Sequence, residues 1–199
     1  MPSFPWPVNR AIGRYAAVLI AVGLGLLVGL GAVAETPPPN SPAVAAFEKI
    51  AAVLQHPRCE NCHQKEAPLQ TDAGRVHIPR VTRGTDNLGV GAMRCANCHR
   101  DENNAASNVP GAPQWQMAPR SMSWTELSVP EICRALKDKS LNGNRDLAAI
   151  VDHVTNDKLL RWAWSPGGKR AVPPIGHQEF VDLIRVWVAG GGECPPGSR

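Results

Sequence analysis

The sequence predicts a mainly α-helical domain whose helices are joined by long loops. Its 199 residues are 43% hydrophobic and 19% charged, a composition typical of one compact globular domain. Apolar residues recur at helical spacing near both ends of the folded region. Residues 64–94 and 100–125, rich in Gly, Pro, Asn and Arg, have no such period. Compact domains rarely contain loops of this length, so we expect these loops to surround something large.

Residues 1–34 predict an export signal. Two Arg precede an uncharged run over residues 16–34, which ends in Ala-Val-Ala, the small-x-small form of a signal-peptidase site. An uncleaved membrane anchor is the alternative, because the run approaches the roughly 20 residues that span a bilayer. Both interpretations put the rest of the chain in the periplasm. Residues 35–42 form a Pro-rich tether, and residues 43–199 form the folded domain.

The folded domain is predicted to begin with a helix. Ser41 followed by Pro42 is a favourable N-cap with Pro at the first helical position, and this helix should end near Pro57. Further helices are expected over residues 130–137, over residues 146–164 and before the three Gly at 190–192. The apolar residues with helical spacing are Phe47, Ile50, Ala51 and Leu54 in the first helix, Leu147, Ile150, Val151 and Val154 in the third, and Phe180, Leu183, Ile184, Trp187 and Val188 in the last.

A short motif occurs twice, as "RCENCH" from Arg58 and as "RCANCH" from Arg94. Cys-x-x-Cys-His is the c-type haem attachment motif, in which two thiols one helical turn apart form thioethers with the porphyrin and the next imidazole reaches the iron. Each copy is complete, so the sequence predicts cytochrome c-like helices and loops wrapped around two covalently bound haem c groups. The residues are Cys59, Cys62 and His63 in the first motif and Cys95, Cys98 and His99 in the second.

Zinc ribbons and thioredoxin-like redox pairs also use Cys-x-x-Cys. More than thirty residues separate Cys62 from Cys95, whereas the two pairs of a four-Cys zinc site are usually roughly 15–20 residues apart. Such a site also has no need for a His after each pair. A thioredoxin-like pair would require a βαβ pattern, which the flanking sequence lacks. Spacing and context therefore favour haem.

Cys133 and Cys194 lie outside the motifs. In an oxidising compartment they are natural partners for a disulfide, which would tie the C-terminal tail to the helix after Pro130. Closing such a long loop contributes about 2–4 kcal/mol to stability. Two free buried thiols are the alternative.

Several residues are candidates for the sixth ligand of each iron. His77 lies in the loop soon after the first motif, and we expect it to fold back on the first iron. For the second iron the candidates are Met117, Met122 and His153. His153 also has a plainer interpretation as a helix-edge histidine bonded to Asp157, and a Met can simply fill a gap in the core. The other His and Met considered are His56, Met93 and His177.

Four longer stretches allow a narrower comparison. They are "HIPRVTRGTDNLGVGAMRCANCH", "LSVPEICRALKD", "DHVTNDKLLRWAWSPG" and "FVDLIRVWVAGGGECP". Over most of residues 45–196 the chain resembles the small exported cytochromes that accompany molybdenum hydroxylases of the isoquinoline 1-oxidoreductase type. The resemblance implies a hydroxylase as redox partner, with this chain as the electron-accepting subunit. The sequence itself has no molybdopterin or iron–sulfur framework.

The predicted cofactors indicate an electron carrier. A haem held by two thioethers, an imidazole and a second protein ligand has no open position for oxygen or peroxide. We therefore expect electrons to pass from a partner dehydrogenase or hydroxylase to the respiratory chain. A small dihaem peroxidase or a haem-based gas sensor is the alternative if one iron is open. The net charge of +4 is spread along the chain without a basic block, which argues against nucleic-acid binding.

Overall fold

The computed structural model describes residues 41–197, and over this range the prediction of a mainly α fold is confirmed. The expected export signal and most of the expected tether lie outside the described residues. The described residues form seven α-helices and one antiparallel hairpin. The helices are α1 (Pro42–Leu54), α2 (Pro57–Glu60), α3 (Cys95–Cys98), α4 (Val129–Lys137), α5 (Leu147–Asn156), α6 (Lys158–Trp162) and α7 (His177–Ala189), and the strands are β1 (Leu69–Gln70) and β2 (Arg75–Val76).

Helix α1 leads directly into the first motif. Its start is as predicted, because the Ser41 hydroxyl accepts a hydrogen bond from the Val44 N–H at 3.2 Å and Pro42 occupies the first helical position. The helix ends at Leu54, and Pro57 opens α2 after a short turn. The first motif is therefore attached to the most buried helix of the fold.

Helices α1 and α7 form the centre of the core. The Phe47 and Trp187 rings have their centroids 5.3 Å apart, and both side chains are fully buried. Gly190, the C-cap of α7, is needed for this close approach, since a Cβ there would lie 2.5 Å from the Cβ of Ala43. Helices α4 and α5 pack around this pair and contribute buried residues such as Ile132.

The predicted disulfide between Cys133 and Cys194 is confirmed. It joins the middle of α4 to the segment after α7, with the two Cα atoms 5.6 Å apart. The neighbouring Glu193 carboxylate accepts a hydrogen bond from the Ser41 hydroxyl at 2.5 Å. The C-terminal segment is thereby tied both to α4 and to the start of α1.

The prediction of one helix over residues 146–164 is wrong in one respect, because the segment forms two helices. Asp157 has an extended backbone (φ −65°, ψ 120°), which ends α5. Its carboxylate then accepts a hydrogen bond from the Leu160 N–H at 3.0 Å and caps α6. Asp is a favourable N-cap, and here this local preference interrupts the apolar period.

The two long loops contain little regular structure, as predicted. Besides the hairpin they include short 3₁₀ turns at Gly91–Met93 and Arg120–Met122. The Arg83 side chain organises them, and the residue is only 4% exposed. Its hydrogen bonds join the segment after the first motif to the segment before α4. The acceptors are the carbonyls of Gln64, Lys65 and Ala118 and the side chain of Asn87.

Candidate functional site

Both Cys-x-x-Cys-His motifs fold as a single helical turn. In the first, which continues from α2, the His63 N–H donates a hydrogen bond to the Cys59 carbonyl at 3.2 Å. In the second, which is α3 itself, the His99 N–H donates to the Cys95 carbonyl at 2.9 Å. The two Cys of each motif are therefore neighbours on one helix face. This is the arrangement that two thioether bonds to one porphyrin require.

Each motif imidazole is held by a backbone carbonyl. The Nδ1 atom of His63 lies 2.7 Å from the Met122 oxygen, and that of His99 lies 2.7 Å from the Pro110 oxygen. Because a carbonyl oxygen can only accept, Nδ1 carries the proton in both rings and Nε2 keeps its lone pair. Histidines that bind metals in proteins usually have their other nitrogen held in this way.

A tryptophan ring stacks on each motif imidazole. The His63 and Trp124 centroids are 3.4 Å apart with planes 11° apart, and the His99 and Trp115 centroids are 4.4 Å apart with planes 2° apart. The Trp124 ring is itself anchored, since its Nε1–H donates to the Leu54 carbonyl at 3.1 Å. The stacks and the carbonyls together fix the orientation of both imidazoles.

Burial favours the neutral forms of Cys59, Cys62, His63, Cys95 and His99. It is the main cause that raises the pKa of Cys59 to about 12 and that of Cys62 to about 11. Burial also raises the pKa of Cys95, lowers the pKa of His63 to about 4 and lowers the pKa of His99. Reactive thiols of thioredoxin-like sites have a lowered pKa, so the environment of these thiols is of the opposite kind.

A cavity of about 520 Å³ opens beside the second motif. Small-molecule and cofactor sites usually have volumes of roughly 300–1,000 Å³. The wall includes the three residues of the second motif together with Cys62 of the first, so the two motifs share one cavity. An aromatic wall with cations suits a flat, anionic cofactor such as haem. The aromatic and basic residues of the wall include Trp115, Trp162, Arg58, Arg94, Lys169 and Arg170.

Arg58 brings a buried positive charge to this cavity. The residue is 8% exposed, its guanidinium pairs with the Asp72 carboxylate, and its central carbon lies 5.9 Å from the Trp162 ring centroid. Its Nε atom is buried and has no hydrogen-bond partner among residues 41–197. A buried cationic donor with an unused N–H suits an anionic group of a ligand, and the carboxylates of haem provide such groups. The residues present therefore fit haem.

His77 lies in the same cavity, beside the second motif. Its ring centroid is 5.9 Å from that of His99, with the planes 60° apart. The sequence-based expectation assigns His77 to the first iron, whereas the structure places the His77 ring beside His99 of the second motif. The hairpin of β1 and β2, which ends one residue before His77, carries the ring to this position.

The three candidates for the second iron are spread over the fold. Met117 is 3% exposed and lines the shared cavity. Met122 packs in the helical core, where its carbonyl holds His63. The Nδ1 atom of His153 lies 3.3 Å from a carboxylate oxygen of Asp157, which is the contact that its plainer interpretation predicts. His153 is also an electrostatic neighbour of His63 and contributes to the lowered pKa of that imidazole.

The remaining candidates are His56, His177 and Met93. The Nδ1 atom of His56 accepts a hydrogen bond from the Arg58 N–H at 3.2 Å and so caps α2. The Nε2 atom of His177 lies 2.8 Å from the Val154 carbonyl oxygen. Met93 is 42% exposed and lies at the wall of the cavity. His56 and His177 thus hold structural hydrogen bonds.

The two stacking tryptophans and the buried Arg58 were not predicted from the sequence. A signal for Arg58 is present, because the repeated stretch begins with Arg both times and both Arg58 and Arg94 line the cavity. No comparable signal marks the tryptophans. Trp115 and Trp124 lie in a segment without any period, at different distances from the two motifs.

Within residues 41–197, no three His, Cys, Asp or Glu side chains form a metal-binding cluster, so the four motif thiols do not form a zinc cage in this structure. No helix in the described part of the chain is both long and apolar enough to cross a membrane. The chain matches none of the family models, curated proteins or solved structures with which it was compared.

Proposed function

We propose that the chain is an exported dihaem c-type cytochrome that carries electrons from a partner dehydrogenase or hydroxylase to the respiratory chain. One observation carries the proposal: both motifs have the same complete arrangement. In each, the Cys pair occupies one helical turn and the imidazole donates its Nδ1–H to a backbone carbonyl. This arrangement leaves Nε2 of both imidazoles ready to bind a metal.

The residues have separate roles in this proposal. The motif thiols would hold the two haems covalently, and His63 and His99 would bind the irons through Nε2. When bound, haem iron supplies a reversible change between two oxidation states. The stacked tryptophans and the backbone carbonyls keep the imidazole orientation constant, which favours electron transfer because the ligand shell then changes little.

The position of Cys62 supports transfer between the two haems. This residue of the first motif lines the cavity of the second motif, together with Cys95 and Cys98. The two attachment points therefore lie close to each other. A short path between the haems suits a carrier that receives an electron at one iron and delivers it from the other.

The resemblance described above supports a molybdenum hydroxylase of the isoquinoline 1-oxidoreductase type as electron donor. The export signal expected over residues 1–34 supports a periplasmic location, with a membrane tether if that segment is retained. Mixing the oxidised cytochrome with a substrate-reduced hydroxylase of this type should reduce both haems. Reduction no faster than that by an unrelated flavoprotein would contradict this choice of donor.

Haem counting tests the function directly. Full-length protein, exported by a host that attaches haem c, should stay coloured after denaturation and contain two haems per chain by the pyridine haemochrome assay. The double variants Cys59→Ala/Cys62→Ala and Cys95→Ala/Cys98→Ala should each contain one. The variant Cys133→Ala/Cys194→Ala, which removes the disulfide cysteines, is the matched control and should still contain two haems per chain. A wild-type protein with one haem or none would overturn the dihaem proposal.

A further inference from the structure

We propose that His77 is the second protein ligand of the haem attached at Cys95 and Cys98, on the side opposite His99. The inference rests on the dihaem function proposed above and deepens it, because it defines the coordination of one iron. It also differs from the sequence-based expectation, which assigns His77 to the first motif.

The distance between the two imidazoles suits one metal ion between them. The ring centroids of His77 and His99 are 5.9 Å apart. Two imidazoles on opposite sides of one metal ion, each with a metal–nitrogen bond of ~2.0–2.1 Å, have ring centres about 6 Å apart. The two side chains line the same cavity. The observed separation therefore leaves room for one metal ion between the rings.

A hydrogen bond to the backbone holds the His77 ring. Its Nδ1 atom lies 2.8 Å from the Pro79 carbonyl oxygen. Since that oxygen can only accept, Nδ1 carries the proton and Nε2 keeps its lone pair. His63 and His99 are held in the same way, by Met122 and Pro110. His77 thus has the orientation that metal-binding histidines usually show, although it lies outside both motifs.

The groups near the second motif differ in their ability to bind a metal. Among the aromatic rings of residues 41–197, those of Trp115 and His77 lie beside the His99 ring, with centroids 4.4 Å and 5.9 Å away. An indole can only donate a hydrogen bond and has no lone pair for a metal, so only His77 of these two can be a ligand. Met93 and Met117 line the cavity as well, and their thioethers are the competing ligands.

The assignment predicts a specific electronic result. Two imidazoles on one iron leave its reduction potential lower than an imidazole and a Met thioether would. The second haem should therefore be low-spin, closed to carbon monoxide and reduced at the lower end of the range of c-type haems. His77→Met should raise the potential of this haem.

The test begins with His77→Ala in the full-length protein carrying both haems. Covalent haem content should remain two per chain, because the motif thiols are unchanged. One haem should become high-spin and bind carbon monoxide, and added imidazole should restore the low-spin spectrum. Val76→Ala, one residue away and on a side chain that is 50% exposed, is the matched control and should leave both haems low-spin.

Single-haem proteins then identify the iron that has opened. In the Cys59→Ala/Cys62→Ala background, which retains the second haem, His77→Ala should open that haem to carbon monoxide. In the Cys95→Ala/Cys98→Ala background, the same change should leave the first haem as it was. The reverse pattern would overturn the assignment in favour of the first iron. If a single-haem chain fails to accumulate, brief peroxide treatment of the full-length variant, followed by mass spectrometry of the two haem peptides, identifies the open haem by its oxidation.

The two proposals fail in different ways. A protein without covalent haem contradicts the cytochrome function itself. A protein with two covalent haems whose spectrum does not change in His77→Ala keeps the function and overturns only the assignment of His77. Opening of one haem in the control variant Val76→Ala as well would show that the loop and not the ligand had changed, and it would overturn the assignment.

Discussion

The two motifs share one sequence pattern but have different surroundings. The first is backed by the helical core: Trp124, which stacks on His63, is 4% exposed and belongs to the cluster formed by α1, α4, α5 and α7. The second is backed by loops: Trp115, which stacks on His99, is half-buried, and its neighbour is the edge of Trp162 at 4.8 Å. We refer to residues 64–121 as the loop half and to α1, α4, α5, α6 and α7, with Met122 and Trp124 packed against them, as the helical half.

This difference teaches that, under the proposed function, the motif would determine haem attachment and the surroundings would determine access to the haem. Both turns have the same arrangement of thiols and imidazole. Only the second lies wholly within an open cavity with several cations in its wall, whereas the first contributes Cys62 to that cavity. A positive charge favours the reduced form of a nearby redox centre, because reduction removes one positive charge. Two haems attached to the same type of motif, as proposed, would therefore differ in reduction potential and in their exposure to a partner.

The largest effect is expected when the tryptophan that stacks on the His63 imidazole is removed. Trp124→Ala deletes a buried ring from the core and should lower the free energy of unfolding by about 3–5 kcal/mol. Trp115→Ala deletes a half-buried ring, and the loss should be about 1–2 kcal/mol. Urea unfolding followed by circular dichroism measures both. Equal losses would show that the two motifs are equally embedded.

The next effect concerns the disulfide of the helical half. Cys133→Ala/Cys194→Ala should lower the free energy of unfolding by about 2–4 kcal/mol, because the bridge closes a long loop. The loop half should not respond below the unfolding transition, so the rate of proteolysis within residues 100–121 should stay the same. Reduction of the wild-type protein under mild conditions provides the control. Faster cleavage of the loop after either treatment would indicate that the two halves are coupled.

Arg83 offers the corresponding change in the loop half. Arg83→Ala leaves the carbonyls of Gln64, Lys65 and Ala118 without this donor and should cost about 1.5–3 kcal/mol. Amide hydrogen exchange should accelerate around these residues while α1 and α7 keep their protection. Arg83→Lys keeps the charge but not the planar donor group, so it should restore only part of the loss. Uniform acceleration over the whole chain would mean that Arg83 supports the entire fold.

The smallest effect is expected at the start of α4. The Ser128 hydroxyl and N–H donate hydrogen bonds to the Glu131 carboxylate at 2.5 Å and 2.8 Å, and these bonds lower the pKa of Glu131. A lowered carboxyl pKa stabilises the fold at neutral pH, and this contribution is lost as the pH falls through the lowered value. Ser128→Ala should therefore destabilise the protein slightly at neutral pH and less at acidic pH. Thermal melts at both pH values measure the drop in melting temperature, and a larger drop at acidic pH than at neutral pH would contradict this explanation.

The helical half could be predicted well from the sequence. The apolar spacing of Phe47, Ile50 and Leu54 and the N-cap at Ser41 define α1 because they depend on neighbouring residues alone. The disulfide was predicted from the two cysteines left outside the motifs, under the expectation that the chain is exported. The break between α5 and α6 at Asp157 was missed because the apolar residues keep a helical spacing on both sides of it, and this spacing alone predicts one continuous helix.

The loop half and the site were predicted only in part. The motif residues themselves are recognisable because their chemistry requires fixed spacing. The carbonyl partners of the imidazoles, at Met122 and Pro110, are backbone groups, and any residue type provides one. The proximity of His77 to His99 follows from the hairpin that ends just before His77, and this hairpin has no periodic signal. Long-range contacts between loops are therefore the part that the sequence does not reveal.

The carbonyls that hold the two imidazoles have a consequence for the order in which the protein folds. His99 and Pro110 are 11 residues apart, whereas His63 and Met122 are 59 residues apart. A short loop closes at a smaller entropic cost and in less time than a long one. The second imidazole can be oriented as soon as its own loop has formed, but the first requires the chain to be folded as far as Met122. In a chain exported from its N-terminus, the motif that emerges first would be the last to be organised.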